Sequence, residues 1–186
     1  MRERRLIFPL AGAAAAVAAA FALAPRIVPW PDALASEPAS TEFTDCRGEP
    51  LRVLLVNARH FTRPASLAEV SPHLVAATIA AEDARFFSHP GFDPIAIGRA
   101  AVNAVRGVKP LSGASTITQQ LVKEAGPRSC GRKIREVLQA LRVERAWTKE
   151  RILEEYLNRL DYGNLCRGIA AASRYYFAKP PSDLSA

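Results

Sequence analysis

Between residues 134 and 160 the apolar side chains recur every three or four positions, first as Ile134, Val137, Leu138 and Leu141, then as Ile152, Leu153, Tyr156, Leu157 and Leu160. That spacing lines one face of an α-helix and fits no strand, so it calls for two amphipathic helices with their stripes in a core. The period breaks near Trp147-Thr148. Ser71-Pro72 and Asp93-Pro94 each offer an N-cap followed by a proline at the first helical position, and the first of these helices should run through about Ala81. A last helix is expected over 167–177. After the turn residues Asp45-Cys46-Arg47-Gly48-Glu49-Pro50, the apolar run 51–56 suits one strand. There is no internal repeat and no alternation of strand and helix patterns, so the fold class is mainly α.

At 186 residues the chain has room for one globular domain. Its N-terminus reads separately. Arg2, Arg4 and Arg5 precede 6–24, a stretch of 19 uncharged residues rich in alanine, about the length a helix needs to cross a bilayer. A cleaved signal peptide is the competing reading, but its apolar region is usually about 7–15 residues, and Ala22-Leu23-Ala24 is followed by Pro25. Ala33-Leu34-Ala35 is a second candidate cleavage site. An uncleaved anchor is the preferred reading. It gives a cytoplasmic tail over 1–5, a transmembrane anchor over 6–24, a proline- and alanine-rich stalk over 25–44 and the folded domain over 45–186, outside the membrane.

Lys plus Arg number 25 against 18 Asp plus Glu, a formal charge of +7, which favours phosphates, anionic lipid headgroups or nucleic acid. An exported chain does not meet nucleic acid, so lipids and phosphates remain. Cys46, Cys130 and Cys166 are too scattered for a disulfide scaffold and show no zinc-ligand spacing; a Cys130–Cys166 bridge stays open.

Three polar clusters stand out. In Glu82-Asp83-Ala84-Arg85-Phe86-Phe87-Ser88-His89-Pro90-Gly91-Phe92-Asp93 a carboxylate leaves an apolar helix beside two phenylalanines. Apolar neighbours raise a carboxylate's pKa toward values useful in proton transfer, and Arg85 or His89 can pull it back. The alternative is a solvated turn, with His89 a structural hydrogen-bonder. Gly113-Ala114-Ser115-Thr116-Ile117-Thr118-Gln119-Gln120 sets hydroxyls at a glycine loop opening a helix, a place for anions or simply an N-cap made by Ser115 or Thr116. It lacks the pattern of a nucleotide P-loop. Gly131-Arg132-Lys133-Ile134-Arg135-Glu136, with Lys123 and Arg128 upstream, is either a basic face for a diphosphate or a solvated face with Glu136 paired to a neighbouring base.

In this order the clusters resemble the peptidoglycan glycosyltransferases, glycosyltransferase family fifty-one, found as monofunctional transglycosylases and in class A penicillin-binding proteins. Glu82-Asp83 through Phe86, His89, Gly91 and Asp93 matches the first family motif, and the Gly113 to Gln120 and Arg132 to Glu136 segments match the second and third. Ile152-Leu153-Glu154-Glu155-Tyr156-Leu157-Asn158 is similar to the fourth, and Arg167-Gly168-Ile169-Ala170-Ala171-Ala172 through Tyr176-Phe177 to the fifth. The resemblance implies a lysozyme-like, mostly helical domain on the outer face of the bacterial cytoplasmic membrane, behind a single-pass anchor, polymerising lipid II into β-1,4-linked glycan strands. The lipid-linked glycan chain is then the donor, and other cell-wall synthesis proteins are candidate partners. It implies Glu82 as general base on the acceptor's 4-hydroxyl. Glu136 is implied as a second carboxylate supporting the leaving diphosphate directly or through a divalent cation, Mg or Mn, with Lys123, Arg132 and Lys133 neutralising charge. Ser115, Thr116 and Gln119 would line the donor site, and Asp83, Phe87, His89 and Gln120 complete the expected substrate-binding set. Glu154, Tyr156 and Asn158 are expected to hold the site from behind.

The link from Gln120 to Arg132 is short against the family and carries Glu124 where asparagine is usual. Pro181-Ser182-Asp183 reads as the start of a further helix capped by Ser182, which makes a longer, truncated domain the expectation. Two rival readings follow: a non-catalytic glycolipid-binding fragment and a lysozyme-like muramidase. The second and third motifs speak against the muramidase, since cleaving a glycan needs no diphosphate site.

Overall fold

The computed structural model of the chain describes residues 23, 25–35, 38–56, 59–107, 115–123 and 130–185. The expected anchor over 6–24 lies outside them apart from Leu23, as do Gly113, Ala114, Glu124 and Arg128. Among the described residues no helix is long and apolar enough to cross a membrane.

The architecture is mainly helical, as the periodicity requires. Its helices are α1 (Pro72–Glu82), α2 (Pro94–Val105), α3 (Ile117–Leu121), α4 (Cys130–Ala146), α5 (Lys149–Arg159) and α6 (Ile169–Phe177). Short α3 packs against both α4 and α5, and the core gathers there around Phe86, Ile117, Val122, Val143, Ile152, Leu153 and Leu157, each at most 1% exposed. Burying side chains of this size stabilises the fold by about 1.5–3 kcal/mol apiece. Thr148 caps α5 by accepting from the Arg151 amide, which places the break between the long helices where the period is lost.

Caps decide most of the remaining boundaries. Asp93 starts α2 by accepting from the amides of Ile95 and Ala96 at 2.9 and 3.0 Å. Burial pushes the Asp93 carboxyl up, but those two amides and then the nearby Arg85 and His89 outweigh it and hold it below the usual carboxylate range. At Ser71 the proline half of the device operates without the hydroxyl, which makes no capping bond; the Ser71 amide instead donates to Pro181 O at 2.9 Å and clips the C-terminal segment to the start of α1.

Several expectations are corrected. Ile134 is 58% exposed, and the buried face of α4 is Glu136, Gln139, Ala140, Leu141 and Val143, because the first turns of this helix turn their polar side toward α3. The single strand is half of a hairpin, β1 (Thr41–Thr44) against β2 (Pro50–Leu54), antiparallel with Glu42 opposite Val53. A second small sheet pairs β3 (Phe61–Thr62) in parallel with β4 (Cys166–Arg167). The last helix starts at Ile169, after Gly168 at φ 90°, where a Cβ would lie 2.7 Å from the Asn158 carbonyl oxygen. Ser182 caps nothing: Pro181–Asp183 is a 3-10 turn with Pro180 at its N-cap. Cys130 and Cys166 are both free, Cys130 exposed and Cys166 buried, so they form no bridge; burial, helped by Asp161, pushes the Cys166 thiol up. Part of the segment read as a stalk is docked on the helices, with Leu34 in the core and Trp30 packed against it.

Glu154 and Asn158, one turn apart on α5, peg the chain that leads into α1. Glu154 accepts from the Leu67 amide at 2.7 Å, and Asn158 both accepts from the Ala65 amide at 3.0 Å and donates to its carbonyl at 2.8 Å. Asn158→Ala leaves both Ala65 groups without partners, with an expected loss of about 1–3 kcal/mol, measured as a shift in the urea midpoint at unchanged slope.

Candidate active site

The apolar run of α1 ends at Glu82, and the chain reverses through Asp83 at φ −158° and ψ 74°, so two adjacent carboxylates take opposite environments. Asp83 is buried. Its oxygens both lie 3.0 Å from His89 Nε2, and Oδ2 also accepts from the Ile117 amide at 3.1 Å. The Gly91 amide donates to His89 Nδ1 at 3.2 Å, so the imidazole proton sits on Nε2, aimed at Asp83. The apolar enclosure expected around Glu82 thus surrounds its neighbour. Glu82 is exposed, at the edge of a cleft of about 260 Å³ that it lines with Arg85, Arg99, Ser115 and Thr116.

Glu82 is nevertheless held. Gln120 Nε2 donates to Glu82 Oε2 at 2.9 Å, and Tyr156 OH donates to Gln120 Oε1 at 3.2 Å. Burial, then the negative charge of Glu82 and contact with Tyr162, push the Tyr156 phenol up to about 12, so it stays a donor. A phenol that must donate fixes the amide's oxygen toward Tyr156 and its nitrogen toward Glu82. Burial alone pushes Tyr162 up to about 12. Both phenols therefore bind their protons more tightly in the folded chain. Their stabilising contribution is intact below the unfolded value near 10 and is lost as pH rises through about 12. A phenolate absorbance titration should show two late-ionising tyrosines, and melting temperatures should fall over the same interval.

Around Ser115 and Gln119 the structure brings together the basic residues of the third motif. Lys133 Nζ donates to Ser115 Oγ at 2.9 Å and Gln119 Oε1 at 3.2 Å, and lies 3.4 Å from Glu136, which Arg132 Nε approaches at 3.5 Å. Gln119 is buried, and its Nε2 has no partner among the described residues. Its amide is free to donate to a ligand. Thr116 is the N-cap, accepting from the Gln119 amide at 3.2 Å and donating to Gly91 O at 2.7 Å. Since Asp83 already holds the Ile117 amide, this helix start offers a ligand fewer free amides than its sequence suggests. Phe87 is 58% exposed and meets Phe86 edge-on, and Lys123 lies on a neighbouring cavity with Gln120.

The surroundings of Glu136 do not fit a protein-held divalent cation. Its oxygens face two cations, and no group of three or more His, Cys, Asp or Glu gathers among the described residues.

Two residues outside the expected set tie the loops together. Glu144 Oε1 accepts from Thr118 Oγ1 at 2.5 Å and from Lys149 Nζ at 2.7 Å; Lys149 also donates to His89 O at 2.8 Å and lies 4.4 Å from the Phe86 ring centre. One half-buried ion pair thereby joins α3, α4, α5 and the 86–89 turn. Lys149 had a signal in the sequence: a cation at the first position of a helix opposes the helix dipole and needs a compensating partner. Tyr156 was expected only to hold the site from behind, and its place in the apolar stripe gave no hint that its hydroxyl reaches Gln120.

Residues 48–186 match the transglycosylase family model. The chain is 40% identical over 151 residues to the biosynthetic peptidoglycan transglycosylase of Nitrosospira multiformis, covering 80% of this chain and 66% of that protein. It is 46% identical over 119 residues to the protein of the same name from Thiobacillus denitrificans, covering 62% of this chain and 51% of the relative. With penicillin-binding protein 1A of Escherichia coli it shares 43% identity over 125 residues, 66% of this chain and 15% of that longer protein. The chain therefore spans from under a sixth to just under two thirds of these relatives, and its own motifs all fall inside the matched region. This chain belongs to the transglycosylase family.

Proposed function

We propose that the chain polymerises lipid II into β-1,4-linked glycan strands, releasing undecaprenyl diphosphate. The observation that carries this reading is a pair of differently built polar groups that meet at α3: an exposed, aimed carboxylate, Glu82, held by Gln120, and a cationic cluster around Lys133, Arg132 and Glu136, joined to Ser115 and Gln119. Glu82 takes the proton of the acceptor's 4-hydroxyl as that oxygen attacks the donor's anomeric carbon. The bond from that carbon to the diphosphate oxygen breaks, the electron pair leaves with the diphosphate, and the configuration inverts from α to β. Lys133 and Arg132 neutralise the departing charge, Lys123 adds positive charge from the neighbouring cavity, and the free amide of Gln119 donates to the donor's oxygens. Asp83, His89, Glu144 and Lys149 act as positioning residues.

The names of the relatives support the substrate class, and the lysozyme-like architecture implied by the motifs belongs to the same proposal. So does the site of action, the outer face of the cytoplasmic membrane behind the anchor at 6–24. Helix α2 supports membrane contact by presenting Ile95, Ile97, Val102 and Val105 to solvent, each at least 44% exposed. The exposure of Glu82 speaks against a muramidase, which relies on a buried glutamate. The test is incubation of the full chain with lipid II in vesicles and separation of the products by length. Glycan strands are expected; their absence sinks the proposal.

A further inference from the structure

The segment 28–35 behaves as a wall. Leu34 is buried in the core, and Pro31 is among the fully buried residues. Trp30 meets Trp147 edge-on at 5.4 Å, with the Arg142 guanidinium 5.8 Å from the Trp30 ring centre, and Arg142 also donates to Val28 O. Arg159 completes the clamp: its Nη1 donates to Ala33 O at 2.8 Å and Ala35 O at 3.2 Å, while its Nε is held by Glu155 at 2.9 Å. Three of these contacts go to main-chain carbonyls, and the Leu34 and Trp30 side chains add core packing, so backbone and side chains together fix the path of the segment.

That path lines an open cavity. Asp32, Ala33 and Ala35 form one side of a space of about 370 Å³ whose other side includes Gln120, Tyr156 and Arg159. Gln120 and Tyr156 are the two groups that orient Glu82. The remaining charged lining is cationic, Lys123 and Arg167 with Arg159, which leaves Asp32 as the acid on the rim. A second groove, lined by Leu34, Trp147, Arg151 and Glu155, lies on the far side of the same segment. Arg159 lines both, so the segment partitions the surface between them.

We infer that residues 28–35 are a fixed wall of the substrate cleft, that Arg159 is the positioning residue holding it, and that Asp32 limits the negative charge the cavity accepts. The choice of lipid II as probe rests on the proposed function; the docking of the wall does not.

The experiment uses the full chain in detergent micelles. The chain has two tryptophans, so their edge-on contact supplies a private signal, an exciton couplet in circular dichroism. Leu34→Asp should abolish the couplet and weaken binding of fluorescently labelled lipid II on the order of tenfold. Arg159→Ala should do the same and Arg159→Lys should restore part of both, which separates loss of the wall from loss of the fold. Asp32→Asn should keep the couplet and change affinity for lipid II without changing the melting temperature. No couplet in the unaltered chain, or a couplet lost with lipid II affinity unchanged, overturns the inference. Tight binding without polymer formation would count against the proposed function and leave the wall standing.

Discussion

Replacing Glu82 by glutamine is expected to lower glycan polymerisation on the order of 100- to 10,000-fold while the melting temperature stays within the spread of surface substitutions, about 0.5 kcal/mol in stability. The separation follows from the geometry. Glu82 is exposed and, among the described residues, makes one hydrogen bond, from Gln120 Nε2, which an amide oxygen can still accept. What glutamine cannot do is take up a proton. Single-turnover polymerisation of lipid II beside thermal melting provides both readings. A variant retaining near-full rate would remove Glu82 from the proton transfer, and one that melted early would show that Glu82 holds the turn.

Asp83→Ala should show the opposite pattern, with stability failing first. The substitution strips partners from His89 Nε2 and the Ile117 amide in a region from which water is excluded. Two stranded donors cost about 2–6 kcal/mol together, a large share of the roughly 5–15 kcal/mol that folded domains possess. At about 2–4 °C per kcal/mol for a chain of this size, melting should fall by roughly 10 °C. Asp83→Asn keeps one acceptor oxygen and should lose less. Since Asp83 also fixes where the α1 turn meets α3, activity should fall in both variants even at temperatures where each remains folded.

The contrast between these neighbours marks where the sequence stops being informative. Glu82 and Asp83 are both acids at the end of an apolar helix, and nothing local states which will be enclosed; the Asp83 backbone conformation and the distant Ile117 amide decide it. Helices were legible because Ile152, Leu153, Tyr156 and Leu157 repeat with the helical period and are all buried. The same rule misplaced Ile134, since periodicity assigns a face without saying how far the core extends along it. Strand β1 escaped because Thr41, Glu42, Phe43 and Thr44 carry no alternation, three of them being exposed. The docked segment at 28–35 looked like a linker because it is rich in proline and alanine with no period, and part of its attachment runs through carbonyl groups, which every residue has. Motif order picked out Glu82, Ser115, Gln119, Lys133 and Glu136 as a group. The relay from Tyr156 needed coordinates, because it joins residues 36 positions apart.

In the proposed reaction that relay also sets the side from which the proton arrives. Glu82 Oε2 is taken by the amide of Gln120, and Oε1 has no partner among the described residues. A carboxylate engaged at one oxygen is most basic at the other, so Oε1 is the atom that should receive the proton, and the carboxyl group has no need to rotate to offer it. An incoming hydroxyl can then be served from one direction. In the proposed reaction the side from which the acceptor hydroxyl reaches Glu82 follows from the orientation of the Gln120 amide, which Tyr156 sets from the far side.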